Sequence, residues 1–510
     1  MSLSGDLLRL ADAVLLPGFT GHAPPDWIRR RLGAGLGGVV LFTRNIADPA
    51  QVARLTAALR AENPAVLVGI DEESGEVTRL EVATGSSRPG GYALGVVDDV
   101  DLTESLARDL GGDLARAGIT IDFAPSADVN SNPDNPVIGL RSFGADPALV
   151  ARHTRAFVRG MQSAGVAACV KHFPGHGDTS VDSHHGVPVV AEQGVEEALR
   201  PFREAIEEGV KAVMTGHLLV PSYDAERPAT LSPKVLTGLL REELGFDGMI
   251  VTDGIEMTAV SGAYGIGGAS ARAIAAGADA ICVGGEHADE ATAAGIRDAI
   301  ATAVTEGLLP EERLADAARR VRELAAWSVS SGGIDITPAN SGGVASAASG
   351  GVEFANGHLG LAAARRAIRV TRRSTAPVLP LAGPAHVVEL TPQMNLAIDG
   401  NTPWGVGEPL RALLPGTTVT RLAAGEASGP VLERLIVRAA GHPLVVVVRD
   451  VHRYAWQSEA LRHLLSARPD AVVVEMGLPA RSDVGAVHIA TYGSARVCGQ
   501  AAAEVLTGTL

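Results

Sequence analysis

The chain has 510 residues, of which 46% are hydrophobic and 4% aromatic, and it carries a formal net charge of −15. This length and composition predict a folded protein of two domains, with cores built mainly from aliphatic side chains. The acidic balance argues against a broad basic surface for nucleic acid or for an anionic membrane, and it favours a small-molecule partner.

The cysteines and the N-terminus narrow the class of protein further. Cys169, Cys282 and Cys498 stand far apart without a CxxC spacing, so the sequence predicts neither a zinc site nor a disulfide framework. The first residues, MSLSGD, lack the basic region and apolar stretch of a secretory signal, and no uninterrupted apolar run is long enough to cross a bilayer. We therefore expect a cytoplasmic protein that does not bind a membrane.

Eight short apolar runs alternate with helical patterns over about the first 325 residues, as in repeated βα units. The runs are residues 12–16, 38–42, 65–70, 120–124, 166–170, 212–214, 249–251 and 279–283. Eight such units predict a (β/α)8 TIM barrel over residues 1–327, closed by the helical stretch around Leu314, Val321 and Leu324. An open, doubly wound sheet is the alternative, because periodicity alone does not show whether a sheet closes.

Composition changes after the predicted barrel. Residues 328–354 are rich in Ser, Gly and Ala, which predicts a linker. Apolar runs at 386–390, 444–448 and 471–476 then alternate with helical stretches, which predicts a smaller α/β sandwich domain over residues 355–510. Asp450, His452 and Arg453 of this domain are expected to be solvated loop residues.

A barrel makes a spatial prediction about the residues that follow its strands. The carboxyl ends of parallel strands meet at one face, so polar residues at these ends should gather there. These residues are Asp71, Asp128, Lys171 with His172, His217, Asp253 and Glu286.

The segment KHFPGHGDTSVDSHH, residues 171–185, has the highest density of titratable groups. His172 and His176 have the spacing of zinc ligands on a helix, but Pro174 and Gly175 would break that helix and disfavour a metal site. Asp182 and His184 lie two positions apart, and a carboxylate beside an imidazole makes a proton donor and acceptor near neutral pH. The alternative is that Asp182 caps a turn through its own backbone.

Two further segments carry candidate functional residues. In GFDGMIVTDGIEM, Asp253 is either a carboxylate nucleophile or the N-cap of the next helix. In GIDEESGEVTR, Asp71 and Arg79 are suited to hold sugar hydroxyls, whereas the three glutamates are expected to be solvated. Those glutamates are Glu72, Glu73 and Glu76. In NPVIGLR, Arg141 is either a ligand or an ordinary surface residue.

Together, KHFPGHGDTSVDSHHGVP, GFDGMIVTDGIEM, GIDEESGEVTR and NPVIGLRSFG resemble glycoside hydrolase family 3, in its beta-N-acetylglucosaminidase branch, over residues 10–327. The resemblance implies a retaining glycosidase with Asp253 as nucleophile and His184, oriented by Asp182, as acid/base. It also implies five residues that bind N-acetylglucosamine: Asp71, Arg79, Arg141, Lys171 and His172. Ser74 and Glu76 depart from the branch, in which Gly and Arg are common at these positions.

The reaction implied is double displacement on terminal β-linked N-acetylglucosaminides, such as cell-wall fragments, without a metal or organic cofactor. Phosphorolysis stays open as an alternative, because some similar enzymes with this dyad use phosphate in place of water. A sugar-binding protein without turnover, a metal-dependent hydrolase and a β-glucosidase are the other candidates. The sequence does not indicate the oligomeric state.

Overall fold

The computed structural model describes residues 3–181, 186–190, 194–285, 287–331, 358–373 and 378–510. The chain divides into two compact units. The barrel unit comprises Met1–Glu73, Val100–Ile138 and Ala145–Ala355, and the C-terminal unit comprises Ser74–Asp99, Gly139–Gly144 and Asn356–Leu510. Two short segments of the N-terminal half therefore belong to the C-terminal unit.

Strands and helices alternate through both units. The strands are β1 (Leu15–Pro17), β2 (Gly38–Leu41), β3 (Leu67–Ile70), β4 (Ile121–Asp122), β5 (Ala167–Phe173), β6 (Ala212–Thr215), β7 (Met249–Thr252), β8 (Ile281–Val283), β9 (Arg369–Arg372), β10 (His386–Leu390), β11 (Thr418–Leu422), β12 (Leu444–Val448), β13 (Val472–Glu475) and β14 (Val487–Ala490). The helices are α1 (Gly5–Asp12), α2 (Asp26–Ala34), α3 (Pro49–Glu62), α4 (Gly91–Val97), α5 (Val100–Ala117), α6 (Pro147–Ser163), α7 (Val195–Glu207), α8 (Thr258–Ala276), α9 (Glu290–Thr305), α10 (Glu311–Ser330), α11 (His358–Ala367), α12 (Gly407–Leu413), α13 (Gly429–Arg438), α14 (Ala455–Ala467) and α15 (Arg496–Thr507), with a π-helix at Lys234–Glu243. No helix of the described ranges is long and apolar enough to span a membrane.

The first eight strands form a closed parallel barrel, as the sequence predicts. β2 to β7 pair in chain order, and β1 pairs with β8. Two further contacts complete the ring. Val251 of β7 forms a parallel bridge to Ala280, next to β8, and the Gly37 N–H, next to β2, donates a hydrogen bond of 3.1 Å to the carbonyl oxygen of Asp12, near β1. The alternative of an open sheet is therefore excluded.

The barrel interior is mainly apolar, because most residues of the barrel strands are apolar and buried. Side chains from every barrel strand join one buried cluster, against which Val321 and Leu324 of α10 pack. Leu314, also on α10, is fully buried, so the predicted closing helix is confirmed. α10 continues to Ser330, three residues into the segment predicted as a linker, and residues 332–357 lie outside the described ranges.

The C-terminal unit contains a six-stranded sheet in the order β11-β10-β12-β13-β14-β9, parallel except for the antiparallel edge strand β9. β10, β12 and β13 correspond to the three apolar runs of the sequence. The polar, largely exposed strands RVTR (β9) and TVTRL (β11) did not show this pattern, because an edge strand does not need two apolar faces. β14 is buried but only four residues long.

The expectation that Asp450 is a solvated loop residue is wrong. Asp450 is 8% exposed, and its side chain accepts a hydrogen bond of 2.7 Å from the Leu478 N–H. Glu475 nearby accepts hydrogen bonds from the N–H groups of Asp450 and Gly477, at 2.9 and 2.8 Å. Burial, with the charge of Asp450 in addition, raises the pKa of Glu475 to about 8. Glu475 is therefore protonated at neutral pH.

Replacing Gly38 by alanine is expected to destabilise the barrel unit. A β-carbon at this position would lie 2.5 Å from the carbonyl oxygen of Leu67 and 2.6 Å from the side chain of Leu16. Such overpacking costs about 1–3 kcal/mol of unfolding free energy. Gly33→Ala is the matched control, because Gly33 is an exposed position of α2 where the added carbon would meet no atom within 4 Å, and alanine favours a helix by up to about 1 kcal/mol. Calorimetric unfolding measures both effects, and a Gly38→Ala protein as stable as the wild type would contradict the packing.

Replacing Glu475 by glutamine is expected to change how stability depends on pH. Glu475 ionises at about pH 4.3 when unfolded but at about 8 when folded, so the wild-type fold loses stability as the pH rises between these values, by at most about 1.4 kcal/mol per pH unit. Glu475→Gln has no such loss, so its stability relative to the wild type should increase from pH 5 to pH 8. Denaturant unfolding at both pH values measures the stability difference between the variant and the wild type, with exposed Glu408→Gln as control. The same difference at pH 5 and pH 8 would refute the raised pKa of Glu475.

Candidate active site

The carboxyl ends of the barrel strands carry the predicted polar residues. Asp71 follows β3, Lys171 and His172 lie near the end of β5, His217 follows β6, and Asp253 follows β7. Asp128 lies in the loop after β4, whereas Glu286 lies outside the described residues. Because all these strands are parallel neighbours, the described residues share one face of the barrel.

Lys171 forms a buried ion-pair centre at this face. Its ammonium group lies 2.7 Å from a carboxylate oxygen of Asp71 and 2.7 Å from one of Glu73, and its side chain is 2% exposed. Glu72 is also buried, and its N–H donates a 3.0 Å hydrogen bond to the Asp122 carboxyl group. The expectation that Glu72 and Glu73 are solvated is therefore wrong, because the lysine that pairs with Glu73 comes from a distant strand.

Asp128 organises the histidines of β5 and its following loop. One carboxylate oxygen lies 2.8 Å from the Nδ1 of His172, and the other accepts the N–H groups of His172 and His176 at 3.2 and 2.6 Å. Burial would raise the pKa of Asp128, but the His172 ring and these donors together hold it well below its usual range. An ionised Asp128 therefore fixes a proton on Nδ1 of His172.

The first part of the loop after β5 is held by side chains from the loop after β4. The Asn135 amide donates to the carbonyl oxygens of His176 and Thr179, at 2.8 and 3.0 Å. Gly177 lies so close to the neighbouring loop that a β-carbon would be 1.9 Å from the carbonyl oxygen of Val129. Asp182, His184 and His185 lie outside the described residues, so the acid/base dyad stays a prediction.

The backbone around Asp253 is fixed from both neighbouring strands. Its N–H donates to the carbonyl oxygen of Thr215 at 3.1 Å, and the Ile255 N–H donates to that of Cys282 at 3.0 Å. His217 Nε2 lies 3.0 Å from the carbonyl oxygen of Gly254, and because a carbonyl only accepts, this nitrogen carries the proton. Asp253 is partly exposed, and α8 begins five residues later, so Asp253 is not the N-cap of that helix.

Two buried thiols on β5 and β8 indicate that the charged groups converge. Burial raises the pKa of Cys169 and of Cys282 well above the usual value, and the charges of Asp71, Asp253 and Lys171 act on both thiols. The structure therefore brings these three charged residues to one region of the barrel. Within the described ranges, no group of three or more His, Cys, Asp or Glu side chains is arranged to hold a metal ion.

Arg79 and Arg141 belong to the C-terminal unit. Arg79 is 8% exposed and donates to the carbonyl oxygen of Ala397 at 3.0 Å. Arg141 is 9% exposed and ends a 3₁₀ turn that begins at Gly139. Neither residue is an ordinary surface arginine.

Sequence reasoning missed Glu256 and Asp122. One carboxylate oxygen of Glu256 accepts hydrogen bonds from the N–H groups of Gly284, at 3.0 Å, and Gly285. These two hydrogen bonds join the loop after β7 to the loop after β8. The glycine pair directly after the eighth apolar run was the available signal. Asp122 was visible as a lone carboxylate inside an apolar strand, and burial raises its pKa well above the usual value.

Comparisons with known proteins concern both units. A family model described as "Glycosyl hydrolase family 3 N terminal domain" matches residues 27–324. "Beta-hexosaminidase A" of Pseudoalteromonas piscicida is 36% identical over 47% of this chain and 44% of the relative. "Beta-hexosaminidase LpqI" of Mycobacterium tuberculosis is 41% identical over 42% of this chain and 56% of the relative. The matched part of the chain thus spans about half the length of these curated relatives.

A solved structure extends the likeness to the entire chain. The glycoside hydrolase family 3 beta-N-acetylglucosaminidase from Paenibacillus sp. str. FPU-7 has a TM-score of 0.88 and 34% sequence identity, covering 100% of this chain and 97% of that chain. The beta-N-acetylhexosaminidase from Beutenbergia cavernae has a TM-score of 0.57 and 28% identity, and covers 64% of this chain and 99% of that chain.

Asp128→Asn is expected to loosen the histidine network and to cost about 1–3 kcal/mol of unfolding free energy, because an amide group replaces an acceptor that faces several donors. The ionised carboxylate stabilises the fold above its unfolded pKa of about 3.9, and this contribution is lost as the pH falls further, through the depressed folded pKa. The difference in unfolding free energy between Asp128→Asn and the wild type should therefore be largest at pH 7 and should shrink in strong acid. Denaturant unfolding across pH measures it, with exposed Asp134→Asn as control, and a difference that grows in acid would contradict the assignment.

Proposed function

Because the chain belongs to glycosyl hydrolase family 3, we propose that it is a retaining glycosidase that removes terminal β-linked N-acetylglucosamine. The family model confirms the family that the four sequence motifs resemble. The names of the beta-hexosaminidase relatives and of the Paenibacillus structure support the choice of sugar. The observation that carries the proposal is the position of Asp253, a carboxylate at the end of a barrel strand with its backbone held on both sides.

In the proposed first step, the Asp253 carboxylate attacks the anomeric carbon as the bond to the leaving group breaks. His184, oriented by Asp182, gives its proton to the leaving oxygen. In the second step, His184 takes a proton from water, the water oxygen bonds to the anomeric carbon, and the bond to Asp253 breaks. Two displacements at one carbon release the sugar with retained configuration.

Asp71, Lys171 and His172 are proposed to hold the sugar ring, together with Arg79 and Arg141. The support for the first three is their fixed geometry, since Lys171 is buried against Asp71 and His172 is oriented by Asp128. Such preorganised donors and acceptors bind hydroxyl and carbonyl oxygens without reordering on binding. The roles of Arg79 and Arg141 rest on the sequence motifs.

The proposal for the physiological substrate rests on the sequence motifs rather than on the fold. We propose that cell-wall fragments with a terminal N-acetylglucosamine are cleaved in the cytoplasm. Water is the proposed acceptor of the glycosyl group. An assay with and without phosphate separates hydrolysis from phosphorolysis by the identity of the sugar product.

Asp253→Asn is expected to lower kcat on a nitrophenyl N-acetyl-β-glucosaminide by at least about a thousandfold, because an amide is a poor nucleophile. Asp247→Asn is the matched control, since Asp247 lies two residues before β7 with a 96% exposed side chain. A 2-fluoro sugar should label Asp253 in the wild type, as peptide mass spectrometry would detect. Label on another residue, or full activity of Asp253→Asn, would refute the assignment.

A further inference from the structure

Three buried residues of the C-terminal unit form a charged group, called here the Glu76 triad: Glu76, Arg449 and Ser494. The Arg449 guanidinium lies 2.6 Å from one carboxylate oxygen of Glu76, and Ser494 donates to the other at 2.7 Å. Arg449 also donates to the hydroxyl oxygen of Ser494 at 3.1 Å. Glu76, expected to be solvated, is 8% exposed, with Arg449 at 5% and Ser494 at 4%.

Stability alone does not explain a buried ion pair of this kind. Moving both charges out of water costs free energy that the attraction often fails to recover, so a well-packed apolar pair is frequently as stable or more stable. Burial raises the pKa of Glu76, against the opposing effect of Arg449. The Glu76 triad therefore suggests a positional role, in which two charges hold distant parts of the chain in one geometry.

Strained backbone surrounds the Glu76 triad. Four non-glycine residues of the described ranges have a positive φ, and three of them lie within two positions of a triad member. These are Ser74 at 68°, Asp450 at 51° and Tyr492 at 53°. Such strain persists only where the surrounding structure enforces it, and it clusters at functional sites.

The triad is connected to both predicted sugar-binding arginines. Arg79 follows Glu76 by three residues on the same segment. Gly75 packs against Gly90, since a β-carbon at Gly75 would lie 2.5 Å from the Gly90 Cα, and one at Gly91 would lie 2.5 Å from the carbonyl oxygen of Arg141. The charge of Arg141 also acts on Glu76. Fixing Glu76 therefore fixes the backbone on which both arginines are carried.

We propose that Arg449 is a positioning residue for substrate binding, which acts through Glu76 to hold Arg79 and Arg141 in the geometry that receives the sugar. This inference rests on the proposed function. A guanidinium binds oxygens through directed N–H groups, so a small displacement of its backbone weakens binding without altering the nucleophile. The effect therefore appears in KM, while kcat stays close to the wild-type value.

The test compares Arg449→Gln, the double variant Glu76→Gln/Arg449→Gln and Arg449→Lys with the wild type. The double variant removes both charges of the Glu76–Arg449 pair, so Glu76 is not left as a buried carboxylate without its cation, and this variant keeps the test valid if Arg449→Gln fails to fold. Arg449 also lies 3.8 Å from Asp450 in the wild type. Arg421→Gln is the matched control, because Arg421 pairs at 2.7 Å with the buried Glu389 of the same sheet. kcat and KM for a nitrophenyl N-acetyl-β-glucosaminide, and the Kd for N-acetylglucosamine by calorimetry, are measured on proteins shown to be folded by thermal unfolding.

We expect KM and Kd to rise about tenfold in both glutamine variants, with kcat within about twofold, and Arg449→Lys to recover part of the affinity. Arg421→Gln should lose stability without a change in KM. Unchanged KM and Kd in the folded double variant, or an equal rise in Arg421→Gln, would overturn the inference while leaving the proposed function intact. An inactive wild type would instead contradict the proposed function, and the Kd comparison would still decide the role of Arg449.

Discussion

Closure of the parallel sheet is the constraint from which the site follows. Once β1 pairs with β8, every strand leaves the ring at the same face, and residues far apart in sequence come within hydrogen-bonding distance there. Asp71 and Lys171 are 100 positions apart, yet their side chains lie 2.7 Å apart. The interior beneath them is a buried, mainly apolar cluster, so a charge at the face needs a fixed partner, and the partners set the geometry available to a substrate.

The two units accommodate buried carboxylates in three different ways. Glu73 and Glu76 each face a cation, Lys171 or Arg449. Asp128 instead keeps its charge through N–H donors and the His172 ring, whereas Glu475 is neutral at pH 7 because burial favours its protonated form. A carboxylate that keeps its charge can orient a neighbour strongly, while a neutral one can sit in a core with fewer partners.

The sequence predicted the barrel because its signal is local: an apolar run, a polar residue, then a helix. It also placed Asp71, Lys171, His172 and Asp253 at one face, because strand direction alone decides that. It failed on Glu73 and Glu76, whose partners come from β5 and from the end of β12, and no local pattern identifies a partner so distant along the chain. The sequence also did not predict the exposed edge strands β9 and β11, because only their pairing with a neighbouring strand distinguishes them from loops.

Because segments of the two units alternate along the chain, part of the C-terminal unit cannot fold until late in synthesis. Residues 74–99 leave the ribosome long before the sheet they join, whose earliest strand, β9, begins about 270 residues further on. At translation rates of roughly 5–20 residues per second, this segment waits on the order of 15–50 seconds for its partners. During that interval the nascent chain holds Glu76 without Arg449, with its carboxylate hydrated, and only release of the last third of the polypeptide allows it to become buried.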